Sequence, residues 1–135
     1  MEGKGAGAQR LHLKYIERDS AAPDGETGKL YERSSGEVDS KAFEERGADD
    51  RHQFRVIVSP EDGREMESLS AFTKDLMRDM ERDLGTKLDW VAADHYDTGQ
   101  PHTHIVIRGK GDDGKDLVMP KYYISRGIRE RRRSL

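Results

Sequence analysis

A closely spaced group of three histidines is the feature that most constrains this chain. His95, His102 and His104 are three of its five histidines and have the spacing His-x6-His-x-His. An apolar, β-branched run begins at His102, and residues 88–93 form a second run of this kind, so both are predicted to be strands. Because turn-forming residues fill positions 97–101, the two strands are expected to form an antiparallel hairpin.

This hairpin would bring three imidazoles together. Side chains alternate between the faces of a strand, so His102 and His104 would project from the same face, roughly 6–7 Å apart at Cα. His95 would face them from the end of the preceding strand. Three imidazoles leave coordination positions of a divalent ion open, as in catalytic or substrate-binding sites. The alternative is a polar surface hairpin, but the shared phase of the three rings favours a metal site.

Composition and charge limit the architecture. The chain has 135 residues, of which 38% are charged and 33% hydrophobic. This length suits one domain with one core. A net charge of −3 argues mildly against binding DNA by bulk electrostatics. However, residues 121–135 contain six basic side chains and one acidic side chain, so one face could still be basic.

The sequence contains no sign of export or membrane insertion. No segment approaches the about 20 consecutive apolar residues of a membrane span, and no signal peptide is visible. The chain also has no cysteine, which fits a reducing compartment. We therefore expect a cytoplasmic protein without membrane insertion.

Periodicity and turn residues divide the chain into segments. Residues 1–10 are predicted to be disordered, and 11–131 to form a single domain that ends in a basic tail at 132–135. Within the domain, 19–50 is predicted to be a long mobile loop with one helical turn near residues 41–46. The core, residues 51–109, is predicted to consist of a strand, a helix and the histidine hairpin.

The individual elements follow from local patterns. Residues 52–58 are predicted to form a strand. Apolar residues then recur every three or four positions, which predicts a helix from about Glu65 to Leu84 that Gly85 ends. The remaining predicted elements are a strand or short helix at 11–16, a short strand at 116–119 and a helix from Lys121.

This order of elements predicts an α+β fold. Consecutive strands after a helix are typical of a mainly antiparallel sheet with helices on one face. The histidines would project from the opposite face, which would be open to a ligand. We therefore expect the metal site, and any DNA site, on that open face.

Several blocks resemble the relaxases, the mobilisation endonucleases of conjugative plasmids. The block from His95 to His104, with Asp97 and Pro101, resembles the three-histidine motif of these enzymes, which belong to the histidine–hydrophobe–histidine (HUH) endonucleases. Three further blocks resemble the branch that is similar to the border-cutting relaxases of T-DNA transfer systems. They lie at residues 52–60, 83–92 and 123–129. The resemblance covers residues 11–131 and implies a ferredoxin-like or RRM-like sheet.

The resemblance implies a metal-dependent enzyme that nicks one DNA strand at a plasmid transfer origin. A tyrosine would attack the phosphodiester and form a 5′-phosphotyrosyl intermediate. The implied cofactor is a divalent ion, Mg²⁺ or Mn²⁺, with Zn²⁺, Ni²⁺ or Co²⁺ as alternatives that imidazole ligands favour in bare affinity. The implied partners are single-stranded or melted transfer-origin DNA, accessory relaxosome proteins and a coupling protein in the bacterial cytoplasm.

The family pattern also suggests functional residues. The nucleophile lies in a Tyr-hydrophobe-x-Arg block, here residues 15–18, which makes Tyr15 the candidate and leaves Tyr31 as its rival. Asp97 and Asp50 are candidates for the carboxylates that orient metal-bound imidazoles. Further candidates are arginines that would contact DNA: Arg18, Arg55, Arg108, Arg126 and Arg129.

Two alternative functions remain open, and one feature departs from the family. The alternatives are a replication-initiator-type nuclease of the same superfamily and a non-catalytic DNA-binding fragment, which the basic run at 126–133 would suit. Relaxases of this kind usually have a strand before the tyrosine block, whereas here a segment rich in glycine and alanine precedes it. If the N-terminal strand is truncated, the sheet would have an uncovered edge and Tyr15 would not be held near the metal, so the isolated fragment would be inactive.

Overall fold

A three-stranded antiparallel sheet forms the centre of the protein. The structure is a computed structural model that describes residues 13–18, 20–21, 28–34, 38–60, 68–96 and 99–118. Its strands are β1 (Gln53–Val58), β2 (Leu88–His95) and β3 (His102–Gly111). The central strand is β3, and the order is β1–β3–β2. The predicted α+β class, first strand and histidine hairpin are confirmed.

Three helical segments in the described residues accompany the sheet. Residues 13–18 form the helix α1. Of the two alternatives expected near 11–16, a strand or a short helix, the helix is therefore correct. The second, α2, spans Ser40–Arg46, and the third, α3, spans Leu69–Leu84. No helix among the described residues is both long and apolar enough to span a membrane.

The long helix α3 starts later than its periodicity predicted. The start predicted near Glu65 is wrong because Ser68 is the N-cap, with extended backbone and a side chain that accepts a hydrogen bond from the Ala71 N–H. A serine oxygen satisfies one of the N–H groups that a helix leaves unpaired at its start. The helix ends as predicted, at Gly85, whose φ of 73° is left-handed.

One face of the sheet, here called the helix face, is covered by α3. The apolar stripe of α3 packs on alternate residues of all three strands, because side chains alternate between the two faces of a strand. Ile107, at the centre of β3, is fully buried there. The buried residues of this cluster are Val56, Val58, Phe72, Leu76, Met77, Met80, Leu88, Trp90, Ala92, Ile105, Ile107 and Leu117.

The opposite face, here called the histidine face, carries a second apolar cluster. The expectation that this face is open and that all helices lie on the other face is therefore wrong. Val91, Ala93 and Val106 are in phase with the histidines, and burial of such apolar surface is favourable. The residues that cover them come from α1, α2 and the segment between these helices. The buried members of the cluster are Leu13, Ile16, Leu30, Phe43, Val91, Ala93 and Val106.

The segment predicted as a long loop, 19–50, contains secondary structure where it is described. Ala21 forms a bridge with His95, and Tyr31 forms a bridge with Ala92, so both lie along the outer edge of β2. The helical turn expected near residues 41–46 is the full helix α2, in which Phe43 is buried. A few apolar anchors are enough to hold these parts against the sheet.

Several predicted segments lie wholly or partly outside the described residues. They are the N-terminus at 1–10, the helix from Lys121 and the basic tail at 132–135. Of the short strand expected at 116–119, the described part forms a single bridge, between Lys110 and Asp116.

A close backbone approach makes Gly109 a test of the fold. A Cβ atom at Gly109 would overlap the backbone carbonyl of His52, whereas one at Gly111 would meet the side chain of Thr86. Overpacking of this kind typically costs about 1–3 kcal/mol. We expect Gly109→Ala to lower the free energy of unfolding by at least about 2 kcal/mol in denaturant titrations. Gly111→Ala should lower the free energy of unfolding by less, because the Thr86 side chain can rotate away from the new Cβ. Equal losses of stability in the two variants would contradict this explanation.

Candidate metal centre

The three histidines converge at one end of the histidine face. His95 is the last residue of β2, and it lies directly opposite His102, the first residue of β3. The ring centroids are 5.0 Å apart for His95 and His102, 4.5 Å for His95 and His104, and 5.1 Å for His102 and His104. One nitrogen from each ring lies within 4.8 Å of the other two. Three neutral imidazoles in this arrangement suit a divalent transition-metal ion with open coordination positions.

A backbone carbonyl orients one of these rings. Nδ1 of His102 is 3.0 Å from the Gln100 carbonyl oxygen. Because a carbonyl only accepts hydrogen bonds, the proton belongs on Nδ1, which leaves the Nε2 lone pair for a metal. The sequence suggested carboxylates for this task, but Asp97 lies outside the described residues. A backbone acceptor carries no side-chain signal, so sequence reasoning missed it.

Asp94 connects the hairpin to α3 from the helix face. Its carboxylate accepts hydrogen bonds from three hydroxyl groups, at 2.7 Å from Tyr31, 2.8 Å from Ser70 and 2.8 Å from Thr103. Thr103 also pairs with Asp94 in the β2–β3 register. The residues next to His95 and His102 are therefore fixed to each other and to α3. In the sequence, Asp94 follows Trp90 and Ala92 at alternate positions of β2, so it points to the same face as these two buried residues. This alternation was the signal that could have revealed the network.

Tyr31, the rival nucleophile, belongs to this half-buried network. Burial, and then the charge of Asp94, raise the pKa of the Tyr31 phenol far above its ordinary value. The hydroxyl donates to Asp94, and the ring packs edge-on against Trp90 with centroids 6.2 Å apart. A phenol must lose its proton to attack phosphorus, and this environment opposes that loss. Tyr31 is therefore a poor nucleophile.

Tyr15 has the opposite environment. Its side chain is 54% exposed, and the Arg18 guanidinium lies 4.5 Å from the centre of its ring. The buried residues of the same helix, Leu13 and Ile16, pack on the histidine face. The chain then reaches Ala21, whose N–H donates to the Asp94 carbonyl at 3.0 Å, beside His95. Tyr15 is therefore solvent-accessible, on a helix packed on the face that carries the histidines.

Tyr96 has a structural role. Its hydroxyl accepts a hydrogen bond from the Leu69 N–H at 2.9 Å, at the start of α3. Burial is the main cause that raises the pKa of the Tyr96 phenol. Like Asp94, this side chain joins the histidine hairpin to α3.

Asp50 and Arg108 form an ion pair at a distance from the histidines. The Arg108 guanidinium donates two hydrogen bonds to the Asp50 carboxylate, both at 2.8 Å. Arg108 is four residues beyond His104 on β3, about 13 Å along the strand. Its Nη1 also lies 3.5 Å from Asp89, which accepts two hydrogen bonds from Arg46 in α2. The structure therefore does not bring Asp50 to the histidine cluster, and it uses Arg108 to attach α2 to the sheet.

The remaining arginine candidates divide into two groups. Arg55 is exposed on β1 and lies on the histidine face, two residues from Ile57, which pairs with His104. Arg126 and Arg129 lie outside the described residues. Of the described arginines suggested by sequence as DNA contacts, Arg18 on α1 and Arg55 on β1 are exposed.

The fold and the site together define the class of protein. A three-stranded antiparallel sheet that presents three histidines from a hairpin fits the metal site of an HUH endonuclease. Residues 24–134 match the family model of the relaxase nuclease domain of the MobA/VirD2-like type. The chain therefore belongs to this relaxase family, whose nuclease domain binds and nicks DNA. No curated protein and no solved structure matches the chain significantly.

Metal binding can be tested by removing ligands. We expect the double variant His102→Ala, His104→Ala to lose more than about a hundredfold in Mn²⁺ affinity, since disturbing groups that only support ligands costs 10–100-fold. His52→Ala is the control, because His52 is exposed and outside the cluster. Calorimetry should find wild-type affinity for this control, and a fall in affinity as acid protonates the wild-type imidazoles. Equal affinity of the double variant and wild type would contradict the site.

The structural role of Arg108 has a separate test. The side chain of Asp50 is 3% exposed, so Arg108→Gln would leave a buried carboxylate without its ion pair. Breaking such a pair typically costs about 3–5 kcal/mol, and removing both charges together costs less. We expect chemical denaturation to find a large loss for Arg108→Gln and partial recovery when Asp50→Asn is added. Arg55→Gln should stay within about 0.5 kcal/mol of wild type.

Proposed function

We propose that this chain is a site- and strand-specific DNA endonuclease and strand transferase that nicks a plasmid transfer origin. The observation that carries this proposal is the convergence of three imidazoles on the sheet face against which α1, the helix with the exposed Tyr15, packs. Membership of the relaxase family supports the reaction type. In this proposal Tyr15 is the nucleophile, and His95, His102 and His104 hold the divalent ion.

The histidines would act on the scissile phosphate through their metal. His95, His102 and His104 would hold a divalent ion, which would supply Lewis-acid activation of the phosphate. The chain's own contribution is to fix the rings before the substrate arrives. The Gln100 carbonyl orients His102, and the hydroxyl network around Asp94 holds the strand ends. A site prepared in this way avoids the cost of ordering ligands during the reaction.

Tyr15 would supply the covalent step. Its phenolic oxygen forms a bond to phosphorus while the bond from phosphorus to the 3′ oxygen breaks. The phenol proton is lost, and the departing 3′ oxygen gains a proton to become a free 3′-hydroxyl. The 5′-phosphate remains esterified to Tyr15, so the phosphodiester energy is retained for rejoining. The Arg18 guanidinium next to the ring favours the negative charge that develops on the phenolic oxygen.

The substrate would be single-stranded or locally melted DNA, since a duplex would not let one strand bend toward the histidine cluster. A bacterial cytoplasmic location, accessory relaxosome proteins and a coupling protein are further predictions from the family. The choice of Mg²⁺ or Mn²⁺ over Zn²⁺, Ni²⁺ or Co²⁺ is a prediction as well. A replication-initiator-type nuclease would use the same chemistry at another origin, and the sequence that is cut distinguishes it.

The nucleophile is tested by two tyrosine variants. We expect Tyr15→Phe to bind single-stranded origin DNA like wild type and to give no covalent adduct on a denaturing gel. Tyr31→Phe should still form the adduct but should unfold more readily, by about 1–3 kcal/mol, because its half-buried partner Asp94 loses a donor. Adduct formation by Tyr15→Phe, together with its loss in Tyr31→Phe, would assign the reaction to Tyr31. A non-catalytic fragment would give no adduct even for wild type with Mn²⁺.

A further inference from the structure

The outer strand β1 presents an exposed strip on the histidine face. The strip consists of the half-buried Gln53 and the exposed Arg55 and Ile57, which alternate with residues that face α3. Ile57 pairs with His104 in the β1–β3 register, so it lies directly beside a ring of the histidine cluster. Its side chain is 63% exposed. The strip therefore extends outward from the candidate metal centre.

Arg55 differs from most other arginines of the described residues. Its Nε donates to the Gln53 side-chain oxygen at 2.9 Å, and it forms no ion pair within the described part of the chain. Most of the others pair with a carboxylate, which offsets the positive charge at their position. The paired arginines are Arg33, Arg46, Arg51, Arg78, Arg82 and Arg108.

One of the few exposed large apolar side chains lies on this strip. Among the described residues the three are Tyr15, Ile57 and Val118. Tyr15 lies on a helix that packs on the histidine face, and Ile57 lies beside His104. Val118 follows the turn at the far end of β3. An uncompensated cation and an apolar side chain on one strip match the two parts of a nucleotide, its phosphate and its base.

We propose that the strip of β1 binds the stretch of single-stranded DNA that adjoins the scissile phosphate. Arg55 contacts a backbone phosphate, and Ile57 packs against the base of the nucleotide next to the histidine cluster. This inference rests on the proposed function because it takes the histidine cluster as the position of the scissile phosphate. It adds a binding surface for the neighbouring nucleotides, on a strand that supplies no metal ligand.

A second copy of the chain is a less suitable occupant. The outer edge of β1 could in principle pair with the same edge of another copy. A twofold antiparallel pairing of Gln53–Val58 with itself would bring the two Arg55 side chains close together, and like charges on neighbouring strands are destabilising. DNA is a polyanion, and its phosphates would neutralise the charge of Arg55. The charge of the strip therefore favours DNA over a second copy of the chain as the occupant.

The phosphate contact is tested by the salt dependence of binding. The measurement is fluorescence anisotropy of a labelled oligothymidylate with the whole 135-residue chain. We expect Arg55→Gln to weaken binding at low salt about three- to tenfold and to lower the slope against log salt by about 0.7, the value for one phosphate contact on a single strand. Arg78→Gln is the matched control, since Arg78 is exposed on α3, across the sheet, and already paired with Asp75. A wild-type slope for Arg55→Gln overturns the contact.

The apolar contact is tested by two substitutions at Ile57. Threonine keeps the β-branched shape and strand preference but removes apolar surface. Ile57→Thr should therefore weaken oligothymidylate binding by about three- to tenfold. Ile57→Phe should bind at least as tightly as wild type, because an aromatic ring can stack on the base. Val118→Thr, an equally exposed substitution away from the strip, should have no effect. If Ile57→Thr binds like wild type, the packing role is refuted.

The outcomes separate this inference from the proposed function. If wild type forms the tyrosyl adduct while the Arg55 and Ile57 variants bind DNA like wild type, the DNA-binding role of the strip is refuted and the proposed function stands. If no adduct forms but binding still depends on both residues, the strip is a surface for single-stranded DNA, whereas the proposed function and the link to a scissile phosphate fail. If light scattering finds a wild-type dimer that Ile57→Thr dissociates without weakening DNA binding, the strip is a self-association surface and the inference is overturned.

Discussion

The register between β2 and β3 determines where every candidate ligand lies. His95 and His102 are direct partners in this antiparallel pair, and His104 follows two residues later on the same face. A shift by one residue would turn the β3 histidines to the other face, because side chains alternate along a strand. The hydrogen bond from Thr103 to Asp94 fixes the register on the reverse side of the sheet. The metal centre therefore depends on a polar contact that faces away from it.

Both faces of the sheet are packed, and this divides the histidine face into three zones. The histidines occupy one end, an apolar cluster around Val91 and Val106 occupies the middle, and the Arg108 ion pairs occupy the other end. Because Leu13 and Ile16 of α1 belong to the middle zone, they attach the helix that carries the exposed Tyr15 to the face with the histidines. The cluster thus serves the stability of the fold and the position of the candidate nucleophile together.

Sequence reasoning was most accurate where a pattern was local. The spacing of the histidines and the period of α3 were enough to predict the hairpin, the histidine cluster and the helix. The contacts of Asp50, Leu30 and Phe43 could not be predicted, since they join positions far apart in the chain and depend on tertiary packing. Arg108 illustrates the difference, because an arginine on a strand has the same sequence signal whether it faces DNA or a buried carboxylate.

The short spacing of the histidines has a consequence for the apoprotein. Backbone hydrogen bonds already close the hairpin that carries His95, His102 and His104. A metal there connects positions that are already neighbours, so it removes little of the loop entropy that a cross-link between distant segments would remove. Its contribution to stability is then limited to mass action, set by its concentration relative to its affinity. We therefore expect the fold to be largely separable from the metal, so that different divalent ions would enter or leave the candidate centre while the sheet around it stays intact.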